Sequence, residues 1–95
     1  NILLGFVADK AIDDILRLLP RKANYFLSNA QIPRALKVDN LAEKFDILGL
    51  PYKAFPTVAE AYTAALNETG QNDILYVGGS TFIVADLLYY LDKQQ

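Results

Sequence analysis

The chain has 95 residues, a formal net charge of −2 and a hydrophobic fraction of 53%, which predicts one small domain with a packed core and excludes a disordered tail. The near-neutral charge gives no electrostatic case for nucleic acid or an anionic membrane, and no apolar run approaches the roughly 20 residues of a membrane span. Cysteine and histidine are absent, which excludes disulfides, thiolate metal sites and imidazole general bases.

The first half of the chain predicts two strand–helix units. Residues 2–7 form a continuous apolar run, which is typical of a strand buried on both faces. Helical spacing of apolar residues follows from residue 9 to residue 19, and residues 23–28 predict a second strand. Asp39 or Asn40 is expected to cap the next helix, since such side chains accept hydrogen bonds from first-turn N–H groups.

The second half repeats the pattern. Residues 52–55 are short and half polar, which favours an edge strand. Thr57 begins a capping box for the third helix, and Gly70 is expected to close that helix. Residues 73–77 predict a fourth buried strand, and Ser80 or Thr81 is expected to start the last helix. The expected inner face of that helix is formed by Val84, Leu87, Leu88 and Leu91.

Alternating strands and helices predict an α/β fold: a three-layer, Rossmann-like parallel sheet with helices on both faces. Right-handed crossovers and the apolar character of the first and fourth strands favour the strand order 4-1-2-3. The direction of winding would then reverse between strands 1 and 4, where open α/β sheets bind ligands. We expect Asp9 and Lys10 to face Gly79 and Ser80 across this crevice.

Strand 4 would be an edge strand in this order, although it is more apolar than exposed edges usually are. Something is therefore expected to cover it, most simply a strand and a helix that precede Asn1 in a larger protein. On this interpretation residues 1–95 form one domain of a larger enzyme.

Three segments resemble a known family in the same order along the chain. They are Gly5-Phe6-Val7-Ala8-Asp9-Lys10, Pro33-Arg34-Ala35 and Val77-Gly78-Gly79-Ser80-Thr81-Phe82. Together they resemble the C-terminal domain of folylpolyglutamate synthase, called dihydrofolate synthase when bifunctional, in the Mur ligase superfamily. The resemblance spans nearly all 95 residues.

The sequence departs from the family pattern in two ways. The strand ending in Asp-Gly-Ala-His-Asn-Pro, with which the family's domain opens, is not present, which agrees with the expected missing strand. A Gly-x-x-x-x-Gly-Lys-Ser/Thr phosphate-binding loop is also absent from the chain. We therefore expect this chain alone to bind no ATP and to catalyse no reaction.

The resemblance implies an ATP-dependent amide ligase that uses ATP and Mg in the intact enzyme. ATP would phosphorylate a folate carboxylate, and the amine of glutamate would attack the acyl phosphate. The C-terminal domain would close over a central ATPase domain of the same polypeptide and help to hold the glutamate. The implied location is cytoplasmic, and no signal peptide is visible.

The resemblance and the crevice together assign only a few residues to substrate or cofactor. We predict no catalytic residue and no metal ligand. Substrate-binding residues are predicted to be Ser80, Phe82, Lys10, Asp9 and Arg34, and Gly79 is predicted to lie at the cofactor. Simpler interpretations stay open: a plain helix cap for Ser80, a solvated side chain for Lys10, a surface arginine for Arg34 and a tight turn at Gly79.

A free-standing receiver-like binding or regulatory domain is the main alternative. Such domains need a cluster of acids after strand 1 to hold a metal ion. Only Asp9 lies at that strand end, with Asp13 and Asp14 a turn further on. A nicotinamide-binding domain is disfavoured because Gly-x-Gly-x-x-Gly does not follow strand 1.

Overall fold

The computed structural model describes residues 1–8 and 12–94. Strands and helices alternate through these residues. The strands are β1 (Ile2–Leu4), β2 (Tyr25–Leu27), β3 (Tyr52–Ala54) and β4 (Tyr76–Gly78). The helices are α1 (Asp13–Arg17), α2 (Val38–Leu48), α3 (Val58–Glu68) and α4 (Thr81–Lys93). None of the helices in this part of the chain is long and apolar enough to cross a membrane.

The strands form a parallel sheet in the order β3-β2-β1-β4. Leu3, in the middle of β1, is aligned with Phe26 of β2 on one side and Val77 of β4 on the other. The predicted parallel sheet and its order 4-1-2-3 are therefore confirmed. Strands β1 and β2 end before their apolar runs do, because the chain leaves the parallel pairing soon after Leu4 and Leu27. Strand β4 begins three residues later than predicted and includes Gly78.

Helices cover both faces of the sheet, so the predicted three layers are also confirmed. Leu4, Tyr25 and Leu27 pack with α1 and α2 on one face. Leu3 and Phe26 point to the other face and pack with α3 and α4. The split follows from the pleat of a strand, which sends successive side chains to opposite faces.

The start of α2 differs from the prediction. The N-cap is Lys37, so Asp39 and Asn40 both lie within the helix and neither is its N-cap. Instead, the Val38 N–H donates to Asn29 Oδ1 over 3.0 Å. A loop side chain distant in sequence thus satisfies a first-turn donor that the prediction assigned to a local cap.

Two further predictions about helices need correction. Helix α3 ends at Glu68 rather than at Gly70, and the extended backbone of Thr69 stops it. The inner face of α4 includes Leu87 but also Ile83, while Val84 and Leu88 are exposed. The Ile83 side chain points inward and fills the space beside Gly5. A side chain at position 5 would collide with it.

Thr57 caps α3 as predicted: its Oγ1 accepts a hydrogen bond from the Glu60 N–H over 3.2 Å. Thr57→Ala should lower the free energy of unfolding by about 1 kcal/mol, because this donor loses its partner. Lys37→Ala is the matched control at the N-cap of α2, and should change stability by less than about 0.5 kcal/mol. Urea unfolding of both variants measures the difference. Equal losses of unfolding free energy in the two variants would contradict the role of Thr57 as the cap of α3.

Candidate functional site

An open groove of about 510 Å³ lies at the carboxyl ends of β1 and β4. This is the point where the winding of the sheet reverses, as the strand order requires. The residues that line the groove are Val7, Arg34, Tyr76, Val77, Gly78, Gly79, Ser80, Thr81, Phe82 and Val84. Four of the predicted site residues are therefore brought together here: Ser80, Phe82, Arg34 and Gly79.

The turn from β4 to α4 forms one wall, and it depends on a close backbone contact. Gly79 has φ +98°, and a Cβ there would lie 2.4 Å from the Gly5 carbonyl oxygen. Gly5 is equally constrained, because a Cβ on it would lie 2.3 Å from Ile83 Cδ1. Packing within the chain thus accounts for glycine at both positions, and the cofactor role of Gly79 stays a prediction.

Ser80 begins α4 as its N-cap, which confirms the simpler of its two predicted roles. Its Oγ accepts hydrogen bonds from the Phe82 N–H over 3.1 Å and from the Ile83 N–H over 3.4 Å. The first turn of α4 contains no acidic residue, whereas α1, α2 and α3 each carry at least one there. The positive end of the α4 dipole is therefore not offset by an acid in its own first turn.

The opposite wall is an antiparallel pairing that the sequence did not predict. Val7 forms a bridge with Ala35. The Ala8 N–H donates to the Arg34 carbonyl over 2.7 Å, and the Leu36 N–H donates to the Phe6 carbonyl over 2.8 Å. Arg34 is thus held by main-chain bonds beside the end of β1. The apolar residues flanking Arg34 were the available signal.

Aromatic side chains make part of the groove apolar. The Tyr76 ring lies over Gly78, where a Cβ would come within 2.7 Å of the ring. Tyr76 is 59% exposed and Phe82 is 37% exposed. Tyr76 was not among the predicted site residues, because its place in an apolar strand predicted a buried side chain. The groove thus combines aromatic surface with a cation and a helix N-terminus.

Asp9 and Lys10 lie outside the described residues, so their predicted placement opposite Gly79 and Ser80 stays a prediction. Among residues 1–8 and 12–94, no group of three or more acidic side chains could hold a metal ion.

Asp13, Tyr25 and Tyr52 have shifted pKa values, and all three lie away from the groove. A hydrogen bond from Lys44 lowers the pKa of Asp13, and a hydrogen bond to Asp46 raises the pKa of Tyr52. Burial raises the pKa of Tyr25. These groups belong to the layer formed by α1 and α2 and its side of the sheet, where they join structural elements.

Solved structures provide the comparison that decides the fold. The chain superposes on Escherichia coli FolC in complex with DHPP and ADP with a TM-score of 0.83 and 26% sequence identity, over 99% of this chain. The chain has the Mur ligase C-terminal fold. A second FolC structure, with ADP and without folate substrate, gives a TM-score of 0.82 and 26% identity over 98% of this chain.

A third solved structure agrees on the fold. It is the bifunctional folylpolyglutamate synthase/dihydrofolate synthase from Yersinia pestis, complexed with AMPPNP and Mn ion, with a TM-score of 0.82 and 23% identity over 97% of this chain. The resemblance to this Mur ligase family, inferred from three short segments, is therefore confirmed by the structure over the whole chain.

The chain spans 22% of the length of each of these three proteins. Neither a protein-family model nor a curated protein sequence matches it.

Gly79 offers a test of the close contact that shapes the groove. Gly79→Ala should destabilise the domain by about 3 kcal/mol or more, because left-handed strain adds to the collision with the Gly5 carbonyl. Gly49→Ala is the matched control: Gly49 has φ +71°, and apart from residues adjacent in the chain the added Cβ meets no described atom within 4 Å. It should cost only about 1 kcal/mol. Chemical denaturation gives both values, and similar losses would contradict the contact.

Proposed function

We propose that the chain is the C-terminal domain of a folylpolyglutamate or dihydrofolate synthase, an ATP-dependent ligase that joins glutamate to a folate or dihydropteroate carboxylate. In the proposed reaction the carboxylate is activated as an acyl phosphate, and the glutamate amine displaces phosphate to form the amide. The observation that carries this proposal is the likeness to FolC over 99% of the chain with a TM-score of 0.83.

We further propose that residues 1–95 form one domain of a larger polypeptide, next to a central ATPase domain. The edge of β4 supports this. Tyr76 and Gly78 direct their backbone groups toward β1, so the N–H and carbonyl of Val77 face the open side. Ile74, just before β4, is 82% exposed. An apolar edge of this kind is normally covered, and we infer an additional strand beside β4.

The groove is the proposed contact with glutamate. A carboxylate would be favoured at the N-terminus of α4, where the helix dipole has no acidic residue in the first turn to offset it. Arg34 lines the same groove and can bind a carboxylate through two parallel N–H donors. Phe82 would pack against the aliphatic part of the amino acid. Glutamate has both features, two carboxylates and a short aliphatic chain.

The remaining predicted residues are assigned by the same proposal. Lys10 would supply positive charge to the glutamate site, and Asp9 would lie beside it at the end of β1. Gly79 would allow the backbone to approach the nucleotide closely. The described residues do not by themselves fit ATP or Mg, because they contain neither a phosphate-binding loop nor a cluster of acidic metal ligands. Those groups are therefore proposed to be bound by the central domain.

The receiver-like alternative has less support. Its acidic cluster would have to include Asp13 and Asp14, but Asp13 accepts a hydrogen bond from Lys44 of α2 over 2.8 Å. Asp14 pairs with Arg17 on the surface of α1 over 3.4 Å. Both carboxylates thus make surface contacts around α1, and neither lines the groove at the end of β4.

Ser80→Ala in the intact enzyme tests the glutamate site. We expect the KM for glutamate to rise more than the KM for ATP or folate, since loss of one hydrogen bond to a charged group costs about 1.5–3 kcal/mol. This corresponds to a tenfold or larger change. Steady-state kinetics with each substrate varied in turn gives the three constants.

Two control variants separate substrate binding from helix capping. Ser80→Asp keeps a cap acceptor but brings negative charge to the groove, so it should preserve the melting temperature and still raise the glutamate KM. Thr57→Ala removes a cap from α3 and should lower the melting temperature alone. A lower melting temperature with an unaltered glutamate KM in Ser80→Ala would leave Ser80 as a cap only.

The isolated 95-residue chain should show neither ATP hydrolysis nor ligation, because it lacks a phosphate-binding loop. Phosphate release and glutamate incorporation are the measurements, with the purified chain at high concentration and the intact enzyme as the positive control. Turnover by the chain that persists through further purification would contradict the proposed division of labour between domains.

A further inference from the structure

The segment that carries Arg34 is fixed at several points along its length. We call residues 29–36 the Arg34 loop. Its final residues pair with the end of β1, as described above, and Asn29 accepts the first N–H of α2. Gln31 Nε2 donates to the Pro56 carbonyl, which follows β3, over 3.2 Å. The methyl group of Ala30 is buried in the core layer beneath α3 and α4. The Arg34 loop is therefore docked on the sheet.

One further bond connects this loop directly to α4. The Gln31 N–H donates to Oδ2 of Asp86 over 2.9 Å. Asp86 lies on α4, the helix that begins at Ser80. The two walls of the groove, Arg34 on the loop and the N-terminus of α4, are thus joined by a carboxylate that does not line the groove itself.

The chemistry of this bond suits a positioning role. An ionised carboxylate accepting a backbone N–H makes a stronger hydrogen bond than a neutral acceptor does. A main-chain donor cannot swing away as a side chain can, so the bond limits sliding of the loop along α4. Small displacements of substrate-holding groups are costly, because binding and catalysis depend on geometry at the scale of about 1 Å.

We propose that Asp86 is a positioning residue for the glutamate site: it sets the separation between Arg34 and the N-terminus of α4. The inference rests on the proposed function, because it assumes that both walls hold the same amino acid. It adds a residue outside the groove to the determinants of glutamate affinity.

Kinetics of the intact enzyme test this role. Asp86→Ala should raise the KM for glutamate about threefold to tenfold, with less than a twofold change in kcat and in the KM for ATP. Asp86→Asn keeps an oxygen acceptor for the Gln31 N–H, so it should recover most of the affinity. Asp92→Ala, which removes an exposed carboxylate near the end of the same helix, should leave all constants unchanged. An unchanged glutamate KM in Asp86→Ala would overturn the proposal.

Hydrogen exchange supplies a measurement that does not depend on activity. In the intact enzyme without substrate, Asp86→Ala should accelerate exchange in the peptide containing Gln31, while Asp92→Ala should not. Exchange that stays at the wild-type rate would also overturn the proposal.

Failure of this inference can be told apart from failure of the proposed function. If Ser80→Ala raises the glutamate KM and Asp86→Ala does not, Asp86 has no positioning role and the glutamate site stands. If Ser80→Ala, Arg34→Ala and Asp86→Ala all leave the glutamate KM unchanged while ligation continues, the groove is not the glutamate site. That part of the proposed function is then overturned, and the positioning role is overturned with it.

Discussion

The contact between the Gly79 backbone and the Gly5 carbonyl sets the position of everything around the groove. A side chain at Gly79 would come within 2.4 Å of that oxygen, and one at Gly5 would strike Ile83. Because neither glycine has a side chain, β4 can turn directly into α4, and Ile83 can fill the space above β1. The N-terminus of α4 is thereby brought to the end of the central strand, where it forms one side of the groove.

Much of the architecture could be predicted from the sequence because it follows from local patterns. The continuous apolar runs, the helical spacing between them and the cap at Thr57 identified the elements and their order. The likeness of three short segments to a ligase family then marked Ser80, Phe82, Arg34 and Gly79 as site residues. The structure brings these four residues to the same groove.

The features that escaped prediction depend on contacts between residues distant in sequence. The acceptor for the first N–H of α2 is Asn29, nine residues earlier and outside the helix. The antiparallel pairing of Val7 with Ala35 is a single isolated bridge, so the apolar residues flanking Arg34 are too few to show the alternation of a strand. The inward position of Ile83 depends on the missing side chain of Gly5, which lies in another strand.

The walls of the groove are joined largely by main-chain hydrogen bonds, including Ala8 to Arg34, Leu36 to Phe6 and Gly5 to Gly78. Such bonds use atoms that nearly every amino acid supplies, so substitution of the surrounding side chains leaves them intact. A framework of this kind tolerates sequence drift, provided that the few glycines at close approaches are kept. This gives a physical reason why a chain sharing only 26% of its residues with FolC superposes on it with a TM-score of 0.83.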